Sequence, residues 1–263
     1  MEIIVLGAGT AVPHPSRHAS GLVLAGDKHT VALDFGPGAL GKYARAGLEL
    51  DQLEAVFLSH LHLDHVHDLA TLLFALHNAT PSERPLHLLG PRGLGAHLDG
   101  MRAIYGSSLD PARPLVVEEL LPGQRHVLAC VEVEPFSAIH TPEALSAVLV
   151  FEGRRLLYSG DTGLHDELVR RAAGVELAIC ECSFPDGKGV PNHLTPAAVR
   201  ELVDRSGCKR LLLTHRYPVM DDYELKPRFA ELDWFVEAED LTRLFLAEEA
   251  ADSMDPIKER RGR

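Results

Sequence analysis

Cysteine is scarce in this chain, with four thiols among 263 residues, at positions 130, 180, 182 and 208. No Cys-x-x-Cys spacing occurs, so the sequence indicates neither a disulfide framework nor a thiolate zinc site. An apolar run of the roughly 18 residues that a membrane span needs is also missing. The N-terminus has the pattern of a strand and lacks that of a signal peptide. We therefore expect a cytoplasmic protein without membrane contacts and with free thiols.

Positive charge is scarce as well. The 26 lysines and arginines stand against 38 acidic residues, a formal net charge of -12. Because phosphate neutralisation supplies most non-specific affinity for nucleic acid, a broadly basic nucleic-acid binder is excluded, whereas a local basic rim is not. The length fits one domain, predicted over residues 1–247. The final segment, 248–263, loses hydrophobic periodicity and is predicted to be a mobile charged tail.

Short runs rich in Val, Ile and Leu recur through the chain and predict strands. These runs lie at 2–6, 21–25, 30–34, 54–59, 85–89, 126–134, 145–151, 155–159, 175–180 and 210–214. Helical spacing predicts helices at 38–46, 65–78, 92–105, 164–173 and 196–206. Hairpin-like connections come first and strands alternating with helices follow. The pattern predicts an α/β (α+β) fold of two mixed sheets packed face to face with helices outside.

Histidine, in contrast, is abundant, and the 15 histidines include a dense motif, HLHLDH, at residues 60–65. Three histidines and an aspartate this close would repel one another on protonation unless a cation held them neutral. Chain alternation points His60 and His62 to one side, whereas Asp64 and His65 turn to a second position where the helix begins. One loop can therefore contribute to two ions. Nitrogen and oxygen ligands without sulfur suit zinc, with manganese or iron as open alternatives.

Two ions need more ligands than one loop supplies, and three candidates follow other predicted strands. They are His140, Asp161 in SGDT at 159–162, and His215. Each alone would more often be structural, since Gly-Asp is common in turns. Together with the dense motif they predict a dinuclear metal centre at one edge of the sheets.

The order of these residues resembles the metallo-β-lactamase superfamily, which implies a four-layer αββα sandwich with a dinuclear site at one edge. Within it, the chain is similar to the ribonuclease Z branch up to about residue 218. The motifs that carry the likeness are LGAGTAVP at 6–13 with Arg17 and Ser20, LDFG at 33–36, GPRGL at 90–94, NHLT at 192–195 and THRY at 214–217. The His193-Leu-Thr element narrows the likeness to phosphodiesterase-type members.

Carried over by position, the resemblance implies a role for each candidate. The two ions and their bridge would be held by His60, His62 and His140; by Asp64, His65 and His215; and by Asp161. Asp34 would orient ligands by hydrogen bonds, its alternative being a turn residue. Asp64 is also the candidate general base or orienter of the nucleophile. His193 would stabilise the transition state or protonate the leaving oxygen, its alternative being a solvent-exposed loop histidine.

Three further positions have open roles. His14 and His18 flank Arg17 and could line a substrate cleft, and Glu181 could orient a catalytic group or simply end a strand. All other histidines, including His67, are interpreted as surface or structural residues.

The resulting hypothesis is a metal-dependent hydrolase of ester bonds, a phosphodiesterase or endoribonuclease resembling ribonuclease Z. Its substrate would be a transfer RNA precursor or a smaller phosphodiester. The segments at 101–125 and 184–191 are too short for the arm that grips transfer RNA in long members, and Leu63 and Asp68 replace glycines common in that branch. Both differences favour a smaller substrate. A lactone or thioester hydrolase is the alternative, and a non-catalytic binding protein ranks last. Dimers are common in the resembled family, so a homodimer is an open alternative to a monomer.

Overall fold

The inner strands of the chain are buried on both faces, as continuous runs of Val, Ile and Leu predict. The structure is a computed structural model that describes residues 1–246 and the backbone of 257–261. Its strands, in chain order, are β1 (Glu2–Gly7), β2 (Gly21–Ala25), β3 (Thr30–Phe35), β4 (Leu53–Phe57), β5 (Leu86–Gly90), β6 (Leu115–Glu119), β7 (His126–Val127), β8 (Val131–Ser137), β9 (Leu145–Phe151), β10 (Arg154–Tyr158), β11 (Leu177–Glu181), β12 (Arg210–Thr214), β13 (Trp234–Glu237), β14 (Thr242–Leu246) and β15 (Ile257–Arg261).

The strands form two mixed sheets. The first has the order β15-β14-β1-β2-β3-β4-β5-β6, and the second has the order β13-β12-β11-β10-β9-β8-β7. Pairing is parallel from β3 to β6 and from β10 to β13, and antiparallel elsewhere. Parallel strands of one sheet end at the same edge, so the loops after β3, β4, β10, β11 and β12 collect polar residues there.

Helices cover the outer face of each sheet. The helices are α1 (Ala39–Arg45), α2 (Leu63–Val66), α3 (Asp68–His77), α4 (Leu94–Tyr105), α5 (Asp166–Ala172) and α6 (Pro196–Ser206), with 3-10 turns at Leu50–Gln52, Gly106–Leu109, Pro218–Met220 and Lys226–Phe229. The first four pack on the first sheet and the last two on the second. Within the described part of the chain, no helix has the length and apolar character that a membrane crossing requires.

Three apolar layers hold the sandwich together. Ile3 and Phe57 of the first sheet meet Leu149 of the second between the sheets. Tyr43 and Leu202 represent the two outer layers, where helices cover the sheets. Burying one large apolar side chain contributes about 1.5–3 kcal/mol, so these layers supply the main favourable term. The predicted αββα sandwich is confirmed.

The differences from the predicted elements lie mostly at sheet edges. The predicted strand 126–134 is two strands, because the chain turns back at Leu128, whose N–H donates to the Val131 carbonyl. The predicted helix 65–78 is α2 followed by α3. The strands β6, β13, β14 and β15 were not predicted; β6, for example, is an edge strand with exposed valines and carries no clear alternation.

The predicted tail at 248–263 is described only in part. The backbone of β15 pairs antiparallel with β14, which differs from a segment without secondary structure. The remainder of the tail lies outside the described residues. Helix α6 begins as its sequence predicts, with the Thr195 hydroxyl accepting from the Ala198 N–H at 3.3 Å and Pro196 in the first turn. It ends at Gly207, whose φ of 72° suits glycine.

Candidate metal centre

Four loops and the short helix α2, at one edge of the sandwich, bring together all seven predicted ligands. The loops are the β4–α2 connection, the β8–β9 connection and those after β10 and β12, while Asp64 and His65 lie in α2. The ligand atoms form overlapping sets within 4.8 Å, which include His60, His62 and His140; His60, His65 and Asp161; and Asp64, His65 and His215. The geometry therefore places them as a dinuclear centre requires, while metal binding itself stays a prediction.

The first half of the centre consists of His60, His62 and His140. His62 Nδ1 lies 3.0 Å from His60 Nε2 and 3.0 Å from His140 Nε2. Three imidazole nitrogens thus face one point. His60 is buried, His140 is half-buried and His62 is exposed.

The second half consists of Asp64, His65 and His215. The His65 and His215 Nε2 atoms lie 3.3 Å apart, and Asp64 Oδ2 lies 3.4 Å from His215 Nε2 and 3.8 Å from His65 Nε2. All three side chains are nearly inaccessible to solvent. Gly36 makes this packing possible, because a Cβ there would lie 2.0 Å from the Asp64 carbonyl oxygen.

Asp161 lies between the two halves. Its Oδ2 is 3.4 Å from His65 Nε2 and 3.8 Å from His60 Nε2, while its Oδ1 is 3.4 Å from His215 Nδ1. Oδ1 is buried and has no hydrogen-bond partner in the described chain. A buried carboxylate oxygen without a partner is costly, so this atom calls for a cation. Nitrogen and oxygen donors in this arrangement fit one or two divalent metal ions.

The pKa values of several predicted ligands are shifted from their ordinary values. Burial lowers the pKa of His60 well below its ordinary value, and the nearby His65 adds to this effect. Burial would raise the pKa of Asp161, but His215 and His65 outweigh it and hold that pKa well below the usual range. His60 and Asp161 therefore have the protonation states that metal ligands need. At His65, burial lowers the pKa but the charges of Asp161 and Asp34 outweigh it and raise that pKa well above its ordinary value, so an ion bound there must displace a proton.

Asp34 orients the second half, as the resemblance implies. Its Oδ2 accepts from His65 Nδ1 at 2.7 Å and from the Tyr158 hydroxyl at 2.6 Å, and its Oδ1 accepts from the Ser59 N–H at 2.7 Å. His65 must then present Nε2 to the centre. Both Asp34 and His215 have positive φ, 56° and 52°, conformations that non-glycine residues adopt mainly where the surroundings enforce them.

Two orienting contacts were missed by sequence reasoning. Ser183 Oγ lies 3.0 Å from His215 Nδ1, and the Asn192 carbonyl lies 3.2 Å from His140 Nδ1. Tyr158, which contacts Asp34, was missed as well. A signal existed only for Ser183, which follows Glu181 by two residues and so faces the same side of an extended chain.

His193 and Glu181 form a buried pair beside the centre. His193 Nδ1 lies 2.9 Å from Glu181 Oε2 and 4.0 Å from Asp161 Oδ2. The imidazole side chain is only 8% exposed and stacks on His215, so the alternative of a solvent-exposed loop histidine does not hold. Glu181 does more than end a strand, because it also accepts from the Thr162 N–H at 2.6 Å.

The pKa shifts of this pair favour its uncharged forms. Burial, and next the Asp161 carboxylate, raise the pKa of Glu181 well above its ordinary value, while burial lowers the pKa of His193. The pair can therefore keep a transferable proton without burying separated charges. As predicted, His14, Arg17 and His18 line a cleft next to Asp64, of about 460 Å³.

A family model described as the β-lactamase superfamily domain matches residues 12–216 of the chain. The chain belongs to the metallo-β-lactamase superfamily. Within this superfamily, an uncharacterized protein of Mycobacterium tuberculosis is 33% identical over 227 residues, covering 83% of this chain and 81% of the relative. A ribonuclease Z of Mycobacterium bovis is 24% identical over 247 residues, covering 84% and 87%.

Solved structures agree on the metallo-β-lactamase fold. The short form of human tRNase Z superposes with a TM-score of 0.78 at 23% identity, covering 92% of this chain and 98% of that one. The metallo-β-lactamase fold protein YhfI of Bacillus subtilis gives 0.77 at 20% identity, covering 92% and 97%. The superfamily and its ribonuclease Z-like members indicate a hydrolase.

Proposed function

We propose that the chain is a phosphodiesterase that uses two divalent ions, with zinc as the first choice and manganese or iron as alternatives. The observation that carries this proposal is the His193–Glu181 pair, a buried imidazole beside Asp161 that is additional to the seven predicted ligands, although its nitrogen is also close enough to His140 and Asp161 to join a ligand set. The likeness to ribonuclease Z supports a phosphodiester substrate over a lactone or thioester.

Each half of the centre, as the distances define it, corresponds to one set of metal ligands. The first half would hold one ion, the second half the other, and Asp161 both. When bound, such ions lower the pKa of a water between them and offset the charge that develops on the attacked phosphate.

Asp64 is the group that accepts the proton of the attacking water. Burial would raise the pKa of Asp64, but its contact with His215 and the charge of His65 lower that pKa overall, so the carboxylate is ionised. It faces the cavity next to the centre, where water and substrate enter. Attack forms a bond between the water oxygen and phosphorus, and the water proton passes to Asp64.

His193 assists the departure of the leaving group. Its Nδ1 is tied to Glu181, which leaves Nε2 for the substrate. As the phosphorus–oxygen ester bond breaks, His193 gives its Nε2 proton to the departing alkoxide oxygen and receives the proton of Glu181 at Nδ1, so the imidazole stays neutral and Glu181 becomes a carboxylate. The products are a phosphomonoester and an alcohol. A poor alkoxide leaving group gains most from such an acid, by about 10²–10⁴-fold in rate.

The test is the substitution His193→Ala, assayed with thymidylyl-(3′→5′)-thymidine, a phosphodiester whose leaving group is an alkoxide, and with p-nitrophenyl acetate. We expect phosphodiester turnover to fall by about 10²-fold or more while metal content is unchanged. His97→Ala, a half-buried histidine on α4, is the matched control and should keep the wild-type rate. An unchanged phosphodiester rate in His193→Ala, or wild-type turnover of the acyl ester alone, contradicts the proposal.

A further inference from the structure

A cavity of about 460 Å³ opens beside Asp64, and its wall is largely apolar. The apolar lining includes Ala11, Pro13, Pro37 and Leu63. Leu63 directly precedes Asp64 and is 68% exposed, an unusual position for a large apolar side chain next to a polar centre. A cavity of this size encloses one ring-bearing organic group rather than a stretch of polymer.

The cations at this cavity are already neutralised. Arg17 is 5% exposed, and its guanidinium is paired with Asp221 and lies 3.6 Å from Glu239. His14 Nε2 takes the other oxygen of Asp221, at 2.9 Å. His18 Nδ1 lies 2.7 Å from Asp240 Oδ2. Each of these cationic or potentially cationic side chains therefore already faces a carboxylate, while the buried Arg17 Nε makes no hydrogen bond among the described residues.

The network carries an excess of negative charge. Lys42 Nζ lies 2.6 Å from Asp240 Oδ2, the oxygen that His18 also contacts. Arg216 is paired with Glu237 and with Glu239. Among the described residues, the permanent charges of the network are the cations Arg17, Lys42 and Arg216 against the carboxylates Asp221, Glu237, Glu239 and Asp240. A second phosphate placed here would meet carboxylates without a free cation.

We infer that this cavity holds the uncharged ring-bearing part of a small phosphodiester, and that the Arg17–Asp221 pair selects against substrates with a second phosphate. The inference rests on the proposed phosphodiesterase function and names its substrate class. A nucleoside monophosphate ester satisfies it, whereas a polynucleotide, with a charge on every residue, does not. Asp221 is the specificity-determining residue because it keeps Arg17 from binding an anion.

Three p-nitrophenyl esters separate the two parts of the inference. Thymidine 5′-(p-nitrophenyl phosphate) carries a neutral nucleoside, its 3′-phosphorylated counterpart adds one phosphate, and methyl p-nitrophenyl phosphate lacks the ring. We expect the nucleoside ester to have a KM about tenfold below that of the methyl ester, because the apolar wall is used. The 3′-phosphate should raise KM by roughly fivefold or more, as repulsion from carboxylates about 4 Å away implies.

Matched variants test the role of Asp221. Asp221→Asn removes the carboxylate nearest to Arg17, whose guanidinium keeps Glu239 at 3.6 Å, and should bring the KM ratio of the two thymidine esters towards one. Asp222→Asn removes the same charge from the next residue, which is exposed, and should keep the wild-type ratio. Three results would overturn the inference. They are an equal KM for the methyl and nucleoside esters, a wild-type KM for the 3′-phosphorylated ester that is no higher than that for the unphosphorylated one, and the same change of this KM ratio in both variants.

The affinity of the protein for the reaction products can be measured without turnover. By calorimetry, thymidine 5′-monophosphate should bind the wild type more tightly than thymidine 3′,5′-bisphosphate, and Asp221→Asn should remove the difference. Absence of turnover on all three esters would defeat the phosphodiesterase proposal, and calorimetry would still decide the cavity inference: equal affinities, or tighter binding of the bisphosphate, overturn it.

Discussion

The two halves of the metal centre differ in burial, in charge and in support. The first half is made of imidazoles alone and includes the exposed His62, whereas the second half contains a carboxylate and is nearly inaccessible to solvent. The second half is also oriented by the ionisable side chain of Asp34, while His140 in the first half relies on a backbone carbonyl. Charge and fixed orientation both strengthen cation binding, so the second half should bind its ion more tightly.

The largest effect should come from the residue that the two halves share. Asp161→Ala removes the carboxylate between them, and we expect metal content to fall below one equivalent and turnover to fall by about 10³-fold or more. Elemental analysis and a phosphodiester assay measure both quantities. Retention of two ions by this variant would mean that the halves are independent.

Asp64→Ala should come next. The second half loses its carboxylate and the reaction loses its proton acceptor, so turnover should drop by about 10²–10³-fold with the fold intact by circular dichroism. The matched change in the first half, His62→Ala, should remove one ion and leave the other bound. A fully active Asp64→Ala enzyme would refute the assigned role.

Asp34→Asn sharpens the comparison, because Asp34 contacts His65 of the second half directly and reaches His60 of the first half only through the Ser59 hydroxyl, which lies 3.1 Å from His60 Nδ1. The affinity of that half should fall by about 10–100-fold, while the first half keeps its ion. A chelator titration followed by elemental analysis would show the order of release. In the wild type the chelator should remove the first-half ion first. In Asp34→Asn it should remove the second-half ion first, or both ions together. An equal fall in the affinities of both halves, relative to the wild type, would contradict the difference in support.

The smallest effect should follow Ser183→Ala. This change removes one contact to the His215 ring and one to its carbonyl oxygen, together with contacts to Glu181 and His193, while Asp161, His65 and Asp64 still surround the ring. A loss of about 1 kcal/mol, or about fivefold in affinity for the second ion, is expected for one hydrogen bond. A loss as large as that of Asp34→Asn would show that Ser183 has a comparable orienting role.

Sequence reasoning reached most of the first and second halves because their chemistry is local. Four candidate ligands, three histidines and one aspartate, lie within residues 60–65, and His140, Asp161 and His215 each follow a predicted strand. Contacts across the fold could not be found in this way. Tyr158 reaches Asp34 over 124 residues, and nothing near either residue in sequence indicates the pairing.

Prediction of the fold from the sequence has the same limit. Inner strands are predictable because burial on both faces demands continuous apolar runs, as in β3 and β11. The edge strands β6 and β13 need no such runs, since each has a neighbour on one side only. Their apolar runs are only three residues long, LVV in β6 and WFV in β13, which is too short to predict a strand. The αββα architecture was nevertheless predictable, because the inner strands and covering helices define it.

The metal content of the purified protein tests the central claim most directly. After expression in medium supplemented with zinc and manganese, elemental analysis should find about two equivalents of divalent metal per chain. Protein stripped with a chelator should take up two equivalents again, in two steps of unequal affinity. A folded protein that copurifies with no metal and takes up none would contradict the account.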